Sequence, residues 1–257
     1  TQCCICTILT TNNFIDTTVL WVTVKWRPKK LFSFKRLKGL YSYGWKMLVS
    51  QLISKIYSDI RQLIIGKLYS ASDLAFYNKA KSFPLLIINN INASIDSVLL
   101  PAMANEHDER EHVKNMMRRT MMTSIYIMAP LMMGLAFVST PLIRLLLTEK
   151  WLPSAPFLAI FCIIYMFYPV QTANLNAIKA LGRSDIFLKL EILKIAIGTI
   201  VLVSVMWFGV MAMAYSLLFT TVTSQIINSW PNKKLLGYSY IQQLKDIVPS
   251  ILLAAFM

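Results

Sequence analysis

Apolar positions recur along the chain in stretches of about 20 residues, the length that a helix needs to cross hydrocarbon about 30 Å thick. The pattern predicts seven such spans and the start of an eighth, at residues 3–24, 40–65, 83–103, 120–140, 155–180, 187–208, 210–230 and 247–257. We therefore expect an all-α, polytopic helical membrane protein. The short loops between the spans leave no room for a soluble catalytic domain.

The loops alternate between rich and poor in Lys and Arg. Loops 25–38, 104–119, 179–194 and 231–246 together carry 18 of these residues, whereas the loops between them carry 5. Because basic loops stay in the cytoplasm, this asymmetry orients every helix. The first span is expected to end in the cytoplasm, and the second to begin there.

The hydrophobic composition of the chain determines how its positive net charge is interpreted. Hydrophobic residues make up 56% of the chain and charged residues only 15%, with a formal net charge of +14. In a soluble protein that charge would suggest nucleic acid, but here the cations lie in loops on one side of the membrane, and we expect no nucleic-acid partner. The four cysteines lie far from both histidines, so neither a metal site nor a cofactor is expected.

The second span carries a polar stripe along one helical face, which includes Gln51, Ser54, Ser58 and Gln62 together with three charged residues. Lys55 and Asp59 are four residues apart and can neutralise each other. Arg61 has no such local partner. Ionisable residues inside a membrane span usually line a solvated path, although a static ion-pair network within the bundle is the alternative.

Other spans carry uncharged polar side chains. Asn89, Asn92 and Asp96 share one face of the third span, and Gln171 and Asn174 lie in the fifth. Such residues also serve simply to join helices. The candidate site is a substrate cavity without catalytic residues, and its predicted members are Lys55, Asp59, Arg61, Asn89, Asn92, Asp96, Gln171 and Asn174.

Three segments resemble a known family. Residues 61–103 (RQLIIGKLYSASDLAFYNKAKSFPLLIINNINASIDSVLLPAM), 141–158 (PLIRLLLTEKWLPSAPFL) and 180–194 (ALGRSDIFLKLEILK) are similar to the polysaccharide-transport, or Wzx-type, branch of the multidrug/oligosaccharidyl-lipid/polysaccharide (MOP) flippases. The resemblance covers roughly residues 20–257. It implies a two-lobed helical bundle, of which the chain would be a fragment lacking helices at both ends.

The resemblance also implies an organisation and a function. Residues 1–24 would be the last helix of the N-terminal lobe, 25–38 a basic cytoplasmic loop between lobes, and 39–257 the truncated C-terminal lobe. Such proteins carry an undecaprenyl-pyrophosphate-linked oligosaccharide across the bacterial inner membrane by alternating access. Lys55 and Arg61 would then face the pyrophosphate, with Asp59 and Asp96 as their partners or as coupling sites. The implied partners are the lipid-linked oligosaccharide, membrane lipids and the polysaccharide polymerase machinery.

Two other functions compete with this one. A multidrug cation antiporter of the same fold needs a cavity in which acids outnumber cations, and the second span has the opposite balance. A membrane enzyme, such as a polymerase or a glycosyltransferase, needs a large loop or an acidic metal-binding segment. The acidic cluster at residues 105–114 is better explained as the start of a solvated helix.

Overall fold

A computed structural model describes residues 15, 17–19, 23, 33–106 and 109–256. It divides into two units, Thr1–Leu40 and Tyr41–Met257. In the first unit, the described residues between 15 and 23 are helical, and the hydroxyl of Thr23 donates to the carbonyl of Val19 at 2.7 Å. Most of the predicted first span and of the predicted loop 25–38 lies outside the described residues.

The described part of the chain is helical and contains no strand. Its helices are α1 (Phe34–Leu68), α2 (Ala71–Asn105), α3 (Arg110–Phe137), α4 (Ser139–Leu147), α5 (Ala155–Met166), α6 (Tyr168–Ala180), α7 (Ser184–Val205), α8 (Val210–Leu236) and α9 (Tyr240–Phe256), with a short 3₁₀ helix at Glu149–Ser154. Helix α1 already begins at Phe34, so the end of the predicted loop 25–38 is helical.

The centre of the second unit is the pair α5 and α6. Helix α2 packs against both, α3 packs against α5 and α9, and α8 packs against α6 and α7. The face of α3 that meets these neighbours repeats every three or four residues and is rich in methionine: Val113, Met117, Met121, Ile125, Met128 and Met132, all at most 1% exposed. This face forms much of the apolar core.

Four stretches of the described chain are long and apolar enough to cross a membrane: Ala71–Asn105, Arg110–Phe137, Glu149–Ala180 and Val210–Leu236. They contain most or all of the predicted third, fourth, fifth and seventh spans. Helices α1 and α7 are also long, but each carries several charged residues along its length, such as Lys189, Glu191 and Lys194 in α7. The class of polytopic helical membrane protein is confirmed, whereas the count of seven spans and an eighth is not reached.

Two predicted boundaries are wrong for local reasons. The third span was predicted at residues 83–103, with Pro84 and Pro101 close to its two limits, yet both prolines lie inside α2. This helix begins earlier because Ser70 and Asp73 form a capping box, in which each side chain binds the other residue's backbone N–H.

The predicted fifth span, 155–180, is not one helix. It breaks at Phe167 into α5 and α6, and Pro169 occupies the first turn of α6. Proline has no N–H to donate to the preceding turn and is tolerated mainly at a helix start. The side-chain amide of Gln225 donates to the carbonyl of Phe167 at 2.8 Å, which satisfies one backbone group at the break.

A network of three amides and one serine joins α6, α8 and α9, and among its described atoms Asn232 Oδ1 is buried without a partner. Asn174 and Gln243 exchange two hydrogen bonds of 3.0 and 3.1 Å, and Asn232 Nδ2 donates to Asn174 Oδ1 at 2.7 Å. Ser229 Oγ lies 3.0 Å from Gln243 Oε1. All four side chains are fully buried. Hydrocarbon offers these buried polar side chains no hydrogen-bond partner, so they must bond to one another. The network therefore fixes how the three helices pack.

Asn174→Leu should therefore destabilise the unit. The change removes the side-chain bonds that Asn174 makes with Asn232 and Gln243. Asn232 Nδ2 then keeps its 3.2 Å bond to the backbone carbonyl of residue 174, and Gln243 Nε2 keeps a 3.5 Å bond to the carbonyl of Tyr238. We expect a cost of about 1 kcal/mol for each bond that is lost.

Thermal unfolding of the purified protein in detergent measures the effect. Asn90→Leu is the matched control, because Asn90 is exposed and bonds only to Leu86 of its own helix. Equal melting temperatures for the two variants would contradict the assignment.

Candidate functional site

Two adjoining cavities lie beside α1 in the second unit. The first, the cationic chamber, holds about 290 Å³ and is lined mainly by Tyr57, Arg61, Tyr77, Lys81, Tyr165 and Gly198. The second, the amide chamber, holds about 550 Å³ and is lined mainly by Gln51, Asn89, Asn92, Asp96, Thr172 and Asn176. Both chambers share Ser54, Tyr168, Gln171, Glu191 and Lys194. They therefore form one continuous polar space.

Arg61 is the most buried cation of the site, with 4% of its surface exposed. Its guanidinium donates to the carbonyl of Met213 at 3.0 Å, to Ser216 Oγ at 3.3 Å and to Tyr57 Oη at 3.2 Å. It forms no ion pair with any described carboxylate. These neutral acceptors hold Arg61 in place and leave its positive charge uncompensated beside the cavity.

Lys81 lies on the opposite wall of the cationic chamber, on α2. It is half-buried and has no salt bridge to a described acid. Two cations thus line the same chamber without a counter-ion, among aromatic side chains contributed by α1, α2, α5 and α6. Such a space is suited to an anionic ligand, because Arg and Lys pair strongly with phosphate oxygens.

A charged cluster lies where the two chambers meet. Glu191 and Lys194 form a salt bridge on α7, and both side chains are largely buried. Ser54 of α1 donates to Glu191 Oε2 at 2.7 Å. The cluster joins α1 to α7 at the boundary of the chambers and is itself close to neutral.

The amide chamber contains buried acceptors without partners. Asn92 is 8% exposed and Asn176 is 1% exposed, and the Oδ1 atom of each accepts no hydrogen bond from a described residue. The amide nitrogen of Asn176 donates to Asp96 Oδ1 at 2.6 Å. A buried acceptor without a donor is costly. Both residues line the amide chamber, and their unpaired oxygen atoms are themselves shielded from solvent.

The predicted site residues divide between the cavities and other places. Arg61, Asn89, Asn92, Asp96 and Gln171 line one chamber or both.

Three predicted residues line neither chamber. Lys55 and Asp59 pair with each other at 3.3 Å on the exposed surface of α1, with side chains 74% and 47% exposed. Asn174 belongs to the buried amide network. Asp96 was expected to pair with a cation, and among the described residues it accepts from Asn176 instead.

Several lining residues were missed by the sequence analysis. Lys81 was assigned to loop 66–82 because the apolar stretch begins after it, whereas α2 begins at Ala71 and carries Lys81 well inside the helix. Glu191 and Lys194 lie three residues apart inside the predicted sixth span, and an ionisable pair within an apolar span is the signal that could have found them. Nothing in the sequence marked Tyr57.

The described part of the chain thus combines helices long and apolar enough to cross a membrane with cavities lined by more cations than acids. The sequence model of the family described as "Polysaccharide biosynthesis protein" matches residues 5–156. Because this match covers more than half of the chain, the chain belongs to that family.

Individual proteins named for polysaccharide biosynthesis are also similar to the chain in sequence. The chain is 29% identical over 166 residues to the teichuronic acid biosynthesis protein TuaB of Bacillus subtilis, covering 63% of this chain and 34% of TuaB. It is 24% identical over 227 residues to the lipopolysaccharide biosynthesis protein WzxC of Escherichia coli, covering 86% of this chain and 46% of WzxC. The chain thus spans half or less of the length of these relatives.

The fold has a counterpart among solved structures. Lipid II flippase MurJ, in an inward closed conformation, matches with a TM-score of 0.69 at 15% identity, over 93% of this chain and 52% of MurJ. The similarity confirms the helical MOP-type fold expected from the sequence.

Gly198 allows α7 to approach the ring of Tyr57 closely. A Cβ atom at this position would lie 2.4 Å from Tyr57 Oη and 2.9 Å from its Cζ, so Gly198→Ala should displace the ring that accepts from Arg61 and lower the melting temperature. Gly134→Ala, where a Cβ meets nothing within 4 Å, should raise stability by up to about 1 kcal/mol.

A double-mutant cycle tests the cause. Tyr57→Phe removes the atom closest to the new methyl group, so the pair Gly198→Ala and Tyr57→Phe should cost less than the sum of the single changes. Additive melting-temperature changes in detergent would show that the contact does not limit the packing.

Proposed function

We propose that the whole protein is a flippase that translocates an undecaprenyl-pyrophosphate-linked oligosaccharide across the bacterial inner membrane by alternating access. In this proposal residues 39–257 form most of the C-terminal lobe, residues 1–24 end the N-terminal lobe, and residues 25–38 join the two in the cytoplasm. The proposal rests above all on one observation, the unpaired Arg61 facing a polar cavity. Family membership supports it.

The cationic chamber binds the pyrophosphate in this proposal. Arg61 and Lys81 supply two uncompensated charges, and neutral acceptors already orient the guanidinium. Charge-assisted hydrogen bonds to phosphate oxygens are stronger than those between neutral groups. The low polarity of the surrounding aromatic side chains strengthens this attraction further.

The amide chamber receives the sugar units. Asn92 and Asn176 present acceptors without partners, Asp96 adds a carboxylate, and Gln171 lies where the chambers meet. Sugar hydroxyls donate to such groups. The continuity of the two chambers matches the covalent order of the ligand, in which the first sugar is attached directly to the pyrophosphate.

The charge balance favours this function over the alternatives. The cations that line the chambers are Arg61, Lys81, Lys179 and Lys194, against the acids Asp96 and Glu191. A multidrug cation antiporter needs the opposite sign. A polysaccharide polymerase would act on the delivered product as a later partner.

Arg61→Ala should abolish export in the source organism. With the gene deleted and the full-length protein supplied on a plasmid, surface polysaccharide should fall at least about tenfold, since a charged hydrogen bond to phosphate contributes about 1.5–3 kcal/mol. Lys55→Ala is the matched control, because Lys55 is exposed and lines neither chamber. Membrane levels of each variant are measured by immunoblot.

Two results would contradict the proposal. If surface polysaccharide is unchanged after gene deletion, the protein is not the flippase for that polysaccharide. If the Arg61→Ala and Lys55→Ala strains export equally, the cationic chamber does not bind the pyrophosphate. A supporting result includes the accumulation of the lipid-linked intermediate in the deleted strain.

Asn92→Leu should reduce export by removing an acceptor for sugar hydroxyls, while the pyrophosphate contacts at Arg61 remain. Asn90→Leu is the adjacent control, because its amide bonds within its own helix. The readout is surface polysaccharide at matched membrane levels. If both variants export as the wild type does, the amide chamber does not contact the sugar.

A further inference from the structure

A basic groove lies at one end of α3, α8 and α9, away from the chambers. It consists of three adjoining depressions of about 200, 460 and 360 Å³. Lys114 is shared by the first and third, and Lys233 and Lys234 by the second and third. Loops 104–119 and 231–246, both predicted to be cytoplasmic, supply most of this groove, so the same prediction puts the groove at the cytoplasmic surface.

The groove carries an excess of positive charge. Its lining acids are Glu111 and Asp246, and its lining cations are Arg110, Lys114, Arg118, Lys233, Lys234 and Lys245. Arg118 is neutralised by Asp246, to which it donates two bonds of 2.8 and 2.6 Å. The other five cations form no salt bridge with a described residue. A ligand with negative charge is therefore favoured.

The groove continues from this basic rim onto an apolar surface. Ile226 and Trp230 lie on the same side of α8 as Lys233 and Lys234, and they are 44% and 70% exposed. Ile226 lies ten residues before the helix end at Leu236, about 15 Å deeper along the axis. Cations thus lie at the headgroup level and apolar side chains below them.

We propose that this groove binds one anionic diacyl phospholipid of the cytoplasmic leaflet, with its phosphate at Lys233 and Lys234 and an acyl chain along Trp230 and Ile226. Basic pockets between membrane helices bind anionic headgroups in this way. A free phosphate would contact only the lysines and not the apolar surface, and an acidic polypeptide would also contact only the basic rim. The site is independent of the transport function.

The test is native mass spectrometry of the full-length protein, purified in detergent with equal amounts of phosphatidylglycerol and phosphatidylcholine. One bound phosphatidylglycerol is expected. In the double variant Lys233→Ala/Lys234→Ala, the ratio of lipid-bound to lipid-free protein should be roughly tenfold lower. Lys67→Ala/Lys150→Ala is the matched control, since both lysines are exposed in loops predicted on the opposite side. Trp230→Ala should also lower retention.

Each other result overturns the proposal in a distinct way. Equal retention of both lipids, or equal loss in the two double variants, indicates general adhesion. Retention unaffected by Trp230→Ala, or displacement by glycerol 3-phosphate, indicates a site for free phosphate. Binding of polyglutamate without any retained phosphatidylglycerol indicates an acidic protein partner. None of these results bears on polysaccharide export, which the Arg61 variants test.

Discussion

The structure depends on holding the guanidinium of Arg61 within a membrane helix bundle without a carboxylate partner among the described residues. The guanidinium donates to three neutral acceptors instead. Two belong to α8, a backbone carbonyl and a hydroxyl, and the third is the phenol of Tyr57, one turn away on α1. These bonds tie α1 to α8, and the contact of Tyr57 with Gly198 ties it to α7. Because α1 meets these neighbours through side chains, space remains beside it, and that space is the cavity.

Amide side chains have two different roles in the same unit. Around Asn174 most of their hydrogen-bonding atoms are paired between helices, and this network holds α6, α8 and α9 together. Around Asn92 and Asn176 they leave oxygen atoms without donors at the wall of a chamber. Residue type is the same in both places. Whether the hydrogen bonds are already used decides whether an amide packs helices or is available to a ligand.

This distinction explains what could be predicted from the sequence. Helical class, membrane location and the polar face of α1 follow from periodicity and hydropathy, which are properties of single segments. The cavity members Lys81 and Tyr57 could not be found in that way. Helix α2 extends through an apparently polar stretch after its capping box, and Tyr57 is placed in the site by Arg61 and by Gly198, which is 141 positions away. Asn174 was misleading for the same reason, since its partners lie on two later helices.

The methionine-rich face of α3 has a mechanical consequence. Methionine is unbranched and adapts its shape to neighbours with little loss of contact. The face of α3 combines four methionines, Met117, Met121, Met128 and Met132, with the branched residues Val113 and Ile125. Domain closure by shear consists of small sliding movements between packed helices. Because methionine adapts its shape, a face of this composition tolerates such displacements better than one built of branched side chains alone.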